Sequence, residues 1–547
     1  MTGKRSLALW LVAALFAAIW FGTLDYRKLV KPDEGRYGEI PREMVATGDW
    51  LTPRLNGIKY FEKPPLQYWA TAAAFTAFGE HHWTVRIWPA LTGFLGILFA
   101  GFATTRLFGN PAAGIVAAAV LGGSLLYALL GQVAVLDMSL SVFLASAIFA
   151  FALAQRDDAP PRATRNWMWA AYALLALAVL TKGLVGLVLP AATLVAYTLW
   201  QRDWALWKRL HLASGLALFF AIAAPWFVAV SLANREFFDF FFIHEHFQRF
   251  LTKVHRRYAP MWYFVPILLV GLMPWTLALF GGLTRAVKRD AALRFQPQRF
   301  LLAWIVVVFG FFSVSSSKLV PYILPIFPAL AALIGVWWMK AGTTALKWQA
   351  LFWAPVGLAI VTVAPFLVAF GDEQMPVAMF EAWVPWMIGA GLSLAAGAVL
   401  AFWLAHTSRP LAAALALGFG GHIACQAGFL GMDSIAPATS TWHITQKIRP
   451  ELTPEMPFFS VAMYDQTIPF YLKRTVQMVE HTDELKYGIE WEPQKFIPTF
   501  AEFVAAWNAA PKAMAMMPPD VHKRFVARNL PMREIARDTR RVFVVKP

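Results

Sequence analysis

The 547-residue chain is 59% hydrophobic and only 15% charged, and its formal net charge is +16. A soluble domain carries about 25% charged residues, so this composition excludes an ordinary water-soluble globule and indicates a polytopic membrane protein. The basic excess then belongs to cytoplasmic loops and to contacts with anionic lipid, and no soluble basic module large enough for nucleic acid is present.

The chain starts "MTGKRSLALWLVAALFAAIWFG", a basic start and an apolar run without a small-x-small cleavage site, which predicts an uncleaved first span. Runs of the length needed to cross hydrocarbon lie near 6–24, 86–107, 111–130, 134–154, 167–181, 184–200, 212–232, 261–283, 299–314, 321–339, 350–370, 384–405 and 411–431. Thirteen spans are therefore expected. Lys4 and Arg5, then the Arg156, Arg202, Arg285, Lys340 and Arg409 loops, alternate along one side as short basic connectors, which sets the N-terminus in the cytoplasm. An odd number of spans sends the C-terminal tail to the outer face. The lone Cys425 lies in an apolar run, so no intramolecular disulfide can form.

The outer loops carry the chemistry. The first, residues 25–85, contains "KPDEGRYGEIPREMV", whose Ile40, Met44 and Val45 lie among charges and predict a helix in the interface. "NGIKYFEKPPLQYW" then breaks at Pro64–Pro65 and starts a second such helix. Pro32 before Asp33 and Gly35 after Glu34 stiffen the approach and leave backbone room, so Asp33 reads as a held carboxylate. An ordinary solvated loop acid is the alternative. Asp137 in "GQVAVLDMSLS" stands at the outer end of a span, where a charge is costly unless paired. Lys182, in the tight turn "TKGL", reads either as a snorkelling lysine or as a phosphate contact. Lys318 and Tyr322 stand beside prolines in "SSSKLVPYILPIFP". Basic residues on the translocated side oppose the insertion bias, and a phosphate-bearing ligand explains a cluster drawn from several loops.

The segment "NREFFDFFFIHEHFQRFLTKVHRRYAP", 234–260, is membrane-seeking through its phenylalanines and supplies His244, Glu245, His246, Arg249 and Arg256. It reads as a lipid-facing clamp with basic residues set for phosphates. A zinc site would need His244 together with a ligand from elsewhere, such as Glu62; ordinary interface histidines are the alternative. No acidic cluster of the magnesium-binding type appears, and no cofactor is expected to be required. After residue 432 the tail, 433–547, alternates "PFFSVAMY", "TVQMV", "KAMAMM" and "RVFVV" with "PTFAEFVAAWNAA" and "PDVHKRFVARN", which predicts a small α/β domain.

"PDEGRYGEIPREM" and "NGIKYFEKPPLQYW" on a multi-span bundle resemble the GT-C glycosyltransferases that use polyprenyl-phosphate sugars, and most of all the bacterial 4-amino-4-deoxy-L-arabinose transferases acting on lipid A. The likeness covers the whole chain: an α-helical membrane domain over 1–432, its first outer loop, and a periplasmic α/β domain over 433–547. It implies transfer from undecaprenyl phosphate-aminoarabinose to a lipid A phosphate at the periplasmic face of the inner membrane, by a monomer among membrane lipids. It maps the catalytic acid onto Asp33; Asp137, either a helix-end charge in water or a site member, is read from the residues alone as a second catalytic candidate. Glu34, Arg36, Tyr37, Tyr60, Glu62, Lys63, Lys182, Arg256, Lys318 and Tyr322 are the candidate contacts for substrate and phosphate. Two rivals stay open. One is a related transferase acting on protein hydroxyls or another lipid, in which Asp33 would be a true base. The other is a lipid-linked sugar transporter, which the outer position of the unusual charges disfavours.

Overall fold

Apolar helices long enough to span hydrocarbon need no amphipathic stripe, because lipid solvates every side. In the computed structural model, which describes residues 3–248 and 259–547, the predicted runs all fall on helices. The membrane part opens with α1 (Gly3–Gly22), α2 (Asp33–Thr47), α3 (Leu66–Phe78), α4 (His82–Phe108), α5 (Pro111–Gly123), α6 (Leu125–Leu130), α7 (Leu136–Gln155), α8 (Pro161–Lys182), α9 (Val185–Gln201) and α10 (Leu212–Ala233). Among the described residues eight helices are long and apolar enough to cross a membrane alone, and nine if one bent pair, Met261–Gly271 with Thr276–Ala286, counts as a span. The expected thirteen thus include shorter helices such as α5 and α9, which do not meet that length. α7 lies at the centre of the bundle, with nearly all of its residues buried.

Between α1 and α4 the long first loop folds into the two expected helices, α2 and α3, with a short hairpin of β1 (Arg54–Leu55) and β2 (Ile58–Lys59) between them. The amphipathic reading of α2 supposes one covered face. In the structure Glu34, Gly35 and Tyr37 through Met44 are all buried, because α3 packs on one side and the C-terminal unit closes the other.

That unit is a six-stranded sheet of order β5-β4-β3-β6-β8-β7. Its strands are β3 (Phe458–Val461), β4 (Gln477–Val479), β5 (Phe496–Ile497), β6 (Met514–Met517), β7 (Arg533–Arg537) and β8 (Val542–Val545). β3, β4 and β6 run parallel and are mostly apolar, as strands covered on both faces tend to be, with Ser460 and Gln477 as the polar exceptions. β8 and β7 add an antiparallel edge. β5 and β7 escape the sequence reading, the first through its brevity and the second because "REIAR" is mostly polar.

The sheet unit is bonded into the membrane part. Asn56 at the hairpin tip exchanges two hydrogen bonds with the Val476 backbone, at 2.8 and 2.7 Å. A side chain at Gly35 would meet the Gln466 carbonyl carbon at 2.5 Å, so α2 lies flush on that backbone. Asp465, fully buried, accepts from Arg541 at 2.7 Å and lies 3.9 Å from Lys31.

Candidate active site

Acidic residues stand in the first turns of α2 (Asp33 and Glu34) and α7 (Asp137), where the helix dipole favours negative charge. Asp33 accepts a hydrogen bond from Arg36 Nη1 at 3.2 Å, and its side chain is 50% exposed. Asp137 accepts from Lys182 Nζ at 2.6 Å, so the cost of a charge at a span end is met by a partner. The Lys182 ammonium lies 5.1 Å from the centre of the Tyr322 ring. These contacts join residues that the sequence reading selects separately.

Glu34 takes a different role from the expected one. It is a buried structural anchor. Arg86 in α4 donates to both of its oxygens, from Nε at 2.7 Å and Nη2 at 2.8 Å. The same guanidinium also holds the carbonyls of Leu24, Arg27 and Lys28. Glu34 accepts further from the N–H groups of Val30, at 3.1 Å, and Ala134, at 3.2 Å. Arg27 donates to the Gln132 carbonyl at 2.7 Å. The loop before Asp137 and the start of the helix carrying Asp33 are therefore pinned to one hub. Burial opposes the charged form of Glu34, but the Arg86 charge and hydrogen bonds, with Arg27 and the Ala134 N–H, outweigh it and hold the carboxyl at about 2.

Around Asp33, Arg36 stretches between two carboxylates, Asp33 and Glu484 of the sheet unit. Its guanidinium lies near the faces of Tyr37 and Tyr60, at 5.8 and 5.9 Å. Tyr60 donates to Glu484 at 3.4 Å, and Tyr37 stacks on Tyr68 at 6.0 Å. Burial pushes the phenols of Tyr37 and Tyr60 well up, so both stay neutral hydrogen-bonding groups.

On the other side Lys63 lies 3.6 Å from Glu62 and 3.5 Å from Glu245. Glu62 acts electrostatically on Tyr60, Tyr68 and Arg36, which joins this cluster to the first.

Two further candidates meet partners inside the protein. Lys318 is buried, and its ammonium donates to the carbonyl of Ser315 in its own loop and to that of Ala259 in another. His244, the histidine of the expected zinc pair with Glu62, meets the sheet unit. His244 Nε2 shares a hydrogen bond with the Tyr487 hydroxyl at 2.6 Å, and among the described residues no three His, Cys, Asp or Glu side chains converge on one point. Arg256, with Arg249, lies outside the described residues.

The sequence reading misses Arg86, Glu484 and Tyr487. Arg86 carries a signal, a guanidinium inside the apolar run "WTVRIW" of a span, which demands a partner. Glu484 and Tyr487 carry none, because they reach the site only through the fold of the tail.

Two family descriptions match the chain: "Dolichyl-phosphate-mannose-protein mannosyltransferase" over residues 5–239, and "Aminoarabinose transferase C-terminal domain" over residues 444–546. The chain is similar to the undecaprenyl phosphate-alpha-4-amino-4-deoxy-L-arabinose arabinosyl transferase 2 of Sodalis glossinidius, 31% identical over 510 residues that cover 89% of this chain and 88% of that one. An arabinosyl transferase of Erwinia tasmaniensis is likewise 31% identical, with coverage of 89% and 88%. The crystal structure of ArnT from Cupriavidus metallidurans bound to undecaprenyl phosphate superposes with a TM-score of 0.94 at 37% identity, covering 98% of both chains.

Proposed function

The chain belongs to the undecaprenyl phosphate-4-amino-4-deoxy-L-arabinose arabinosyl transferase family, and from that premise we propose that it transfers aminoarabinose from undecaprenyl phosphate-aminoarabinose to a lipid A phosphate at the outer face of the inner membrane. The observation that carries the reading is the convergence of Asp33–Arg36 and Asp137–Lys182–Tyr322 on one buried hub. A membrane unit ending near residue 432 carries this site, and the α/β unit after it closes it from above.

In the reaction an oxygen of the acceptor phosphate bonds to the anomeric carbon. The bond from that carbon to the undecaprenyl phosphate oxygen breaks, and undecaprenyl phosphate leaves. Attack of this kind passes through an oxocarbenium-like state, so a nearby carboxylate stabilises the sugar while cations stabilise the leaving phosphate. A phosphate monoester has its second pKa near 6, so the acceptor needs no general base at neutral pH. Asp33 then orients the acceptor or faces the positive charge of the sugar, its ammonium included. Lys182, aligned by Asp137 and Tyr322, and Lys63, aligned by Glu62 and Glu245, serve the two phosphates. Arg256 and Tyr60 complete the proposed set. Neutralising one lipid A phosphate lowers the negative charge that cationic peptides seek.

The mannosyltransferase match over residues 5–239 favours a second reading, transfer to a protein hydroxyl or another lipid. One experiment separates the two. Cells lacking their own transferase are complemented with this chain or with Asp33→Asn, and their lipid A is weighed by mass spectrometry. Aminoarabinose-bearing lipid A with the parent and none with a folded Asp33→Asn is the expected result. Unmodified lipid A with a well-expressed parent and donor present would overturn the acceptor, and modification by Asp33→Asn would overturn the residue.

A further inference from the structure

The sheet unit has no role in the reaction as described so far, yet one of its carboxylates stands inside the site. Glu484 lies in the short turn Asp483–Leu485 and is directed at α2. One of its oxygens accepts from Gln466 at 2.8 Å. The other accepts from Arg36 and from the Tyr60 hydroxyl. We propose that Glu484 is a positioning residue for the transfer: it holds one edge of the Arg36 guanidinium, so that Arg36 gives Asp33 a single hydrogen bond and leaves the second Asp33 oxygen to the substrate. This rests on the reading of Asp33 given above.

The geometry of the guanidinium carries the argument. Arginine binds a carboxylate best as a two-pronged fork. Here Nη1 serves Asp33 Oδ1 and Nη2 serves Glu484, while the buried Nε has no hydrogen-bond partner. Among the described residues Arg36 is the one polar partner of the Asp33 carboxylate, and half of that side chain is exposed. Without the second anchor the fork can turn and close on Asp33, covering the oxygen that the sugar or acceptor would use. The position of Glu484 is fixed by the fold, because Gly35 lets α2 lie against the Gln466–Thr467 backbone with no side chain between. Burial raises the carboxyl of Glu484 against the pull of Arg36 and the Gln466 hydrogen bond. The sheet unit is then a part of the catalytic site, and a bundle without it would hold a closed Asp33.

The test uses the full chain in nanodiscs, with synthetic polyprenyl phosphate-aminoarabinose as donor and purified lipid A as acceptor. Glu484→Gln is expected to lower kcat by about tenfold or more, the worth of one charge-assisted hydrogen bond, with donor KM changed less than about threefold. Glu484→Asp, which keeps the charge, is expected to recover part of that loss. In an Arg36→Lys background, where no fork can form, Glu484→Gln should have little further effect. Arg533→Gln, at an exposed pair on the far side of the unit, serves as the unaffected control. A kcat for Glu484→Gln within twofold of the parent, while Asp33→Asn is inactive, would overturn the proposal alone. So would full additivity with Arg36→Lys, which is the signature of two independent defects. Activity in Asp33→Asn would instead remove the reading beneath it.

Discussion

Glu34→Gln isolates the hub that fixes both acidic helix starts. The carboxylate accepts four N–H groups, two from Arg86 and one each from Val30 and Ala134. A glutamine keeps one oxygen and turns the other into a donor. If the amide nitrogen replaces Oε2 it faces Arg86 Nη2 and the Val30 N–H; if it replaces Oε1 it faces Arg86 Nε and the Ala134 N–H. Either way two donors meet a third, and the Arg86 charge stays buried beside Arg27. Breaking a buried pair in this manner costs about 3–5 kcal/mol. Titration gives a second route to the size: a carboxyl moved from 4.5 to about 2 by folding corresponds to about 3 kcal/mol. The folded value lies below the unfolded one, so this stability is fully present above pH 4.5 and is lost as pH falls toward 2.

The assay is hydrogen exchange of the full chain in nanodiscs, read on peptides spanning residues 28–36 and 130–138. At pH 7 the amides of Val30 and Ala134 should exchange on the order of a hundredfold faster in Glu34→Gln, from about 3 kcal/mol. Transfer activity should fall with them, because Asp33 and Asp137 follow the two loops. Unchanged exchange in both peptides at pH 7 would refute the hub.

Three further substitutions follow from other contacts. Asp137→Asn and Lys182→Met each break the 2.6 Å pair, and each should cut kcat by tenfold or more on the scale of one charged hydrogen bond. The double variant should be no worse than the weaker single, as steady-state kinetics on the three proteins would establish. Gly35→Ala puts a Cβ at 2.5 Å from the Gln466 backbone, so the sheet unit must move away. Limited proteolysis should then cut between residues 433 and 457 at least several-fold faster, and transfer should drop in parallel. Glu43 is held well above the ordinary carboxyl range, first by burial and then by Glu39 beside it. A raised value means its contribution is present at low pH and lost as pH rises through the folded value, so Glu43→Gln should stabilise the chain more at pH 8 than at pH 5. Thermal unfolding at the two pH values checks the sign.

The membrane helices and four of the six strands were legible because hydrophobic content and alternation are local properties. "PFFSVAMY" needs no partner to read as a strand, and a 20-residue apolar run needs none to read as a helix. The acids at the helix starts were legible for a similar reason: Asp33 and Asp137 sit in short sequences whose prolines, glycines and apolar neighbours limit their freedom. What sequence could not supply is partner choice across distance. The Arg86–Glu34 pair joins residues 52 apart, and Tyr60 meets Glu484 across 424. The partners of Lys318 were not legible for a related reason, since a lysine in a loop has backbone carbonyls within reach that no pattern reveals.

The density of charge in "KPDEGRYGEIPREMV" has its physical reason in this packing. α2 is covered on both sides, so each charge on it must find a partner or a backbone group. Glu39 takes Arg42 at 2.6 Å, Glu43 takes the Gly57 N–H at 2.8 Å, Glu34 takes Arg86, and Arg36 takes Glu484. Such an assembly defines one position for the helix, because a rotation of α2 would strand several buried charges together. Asp33, at its edge, is the acid of this helix left half exposed. The buried pairs add little net stability by themselves. Their effect is to fix where that one carboxylate stands, which a stripe of leucines, free to slide, would not do.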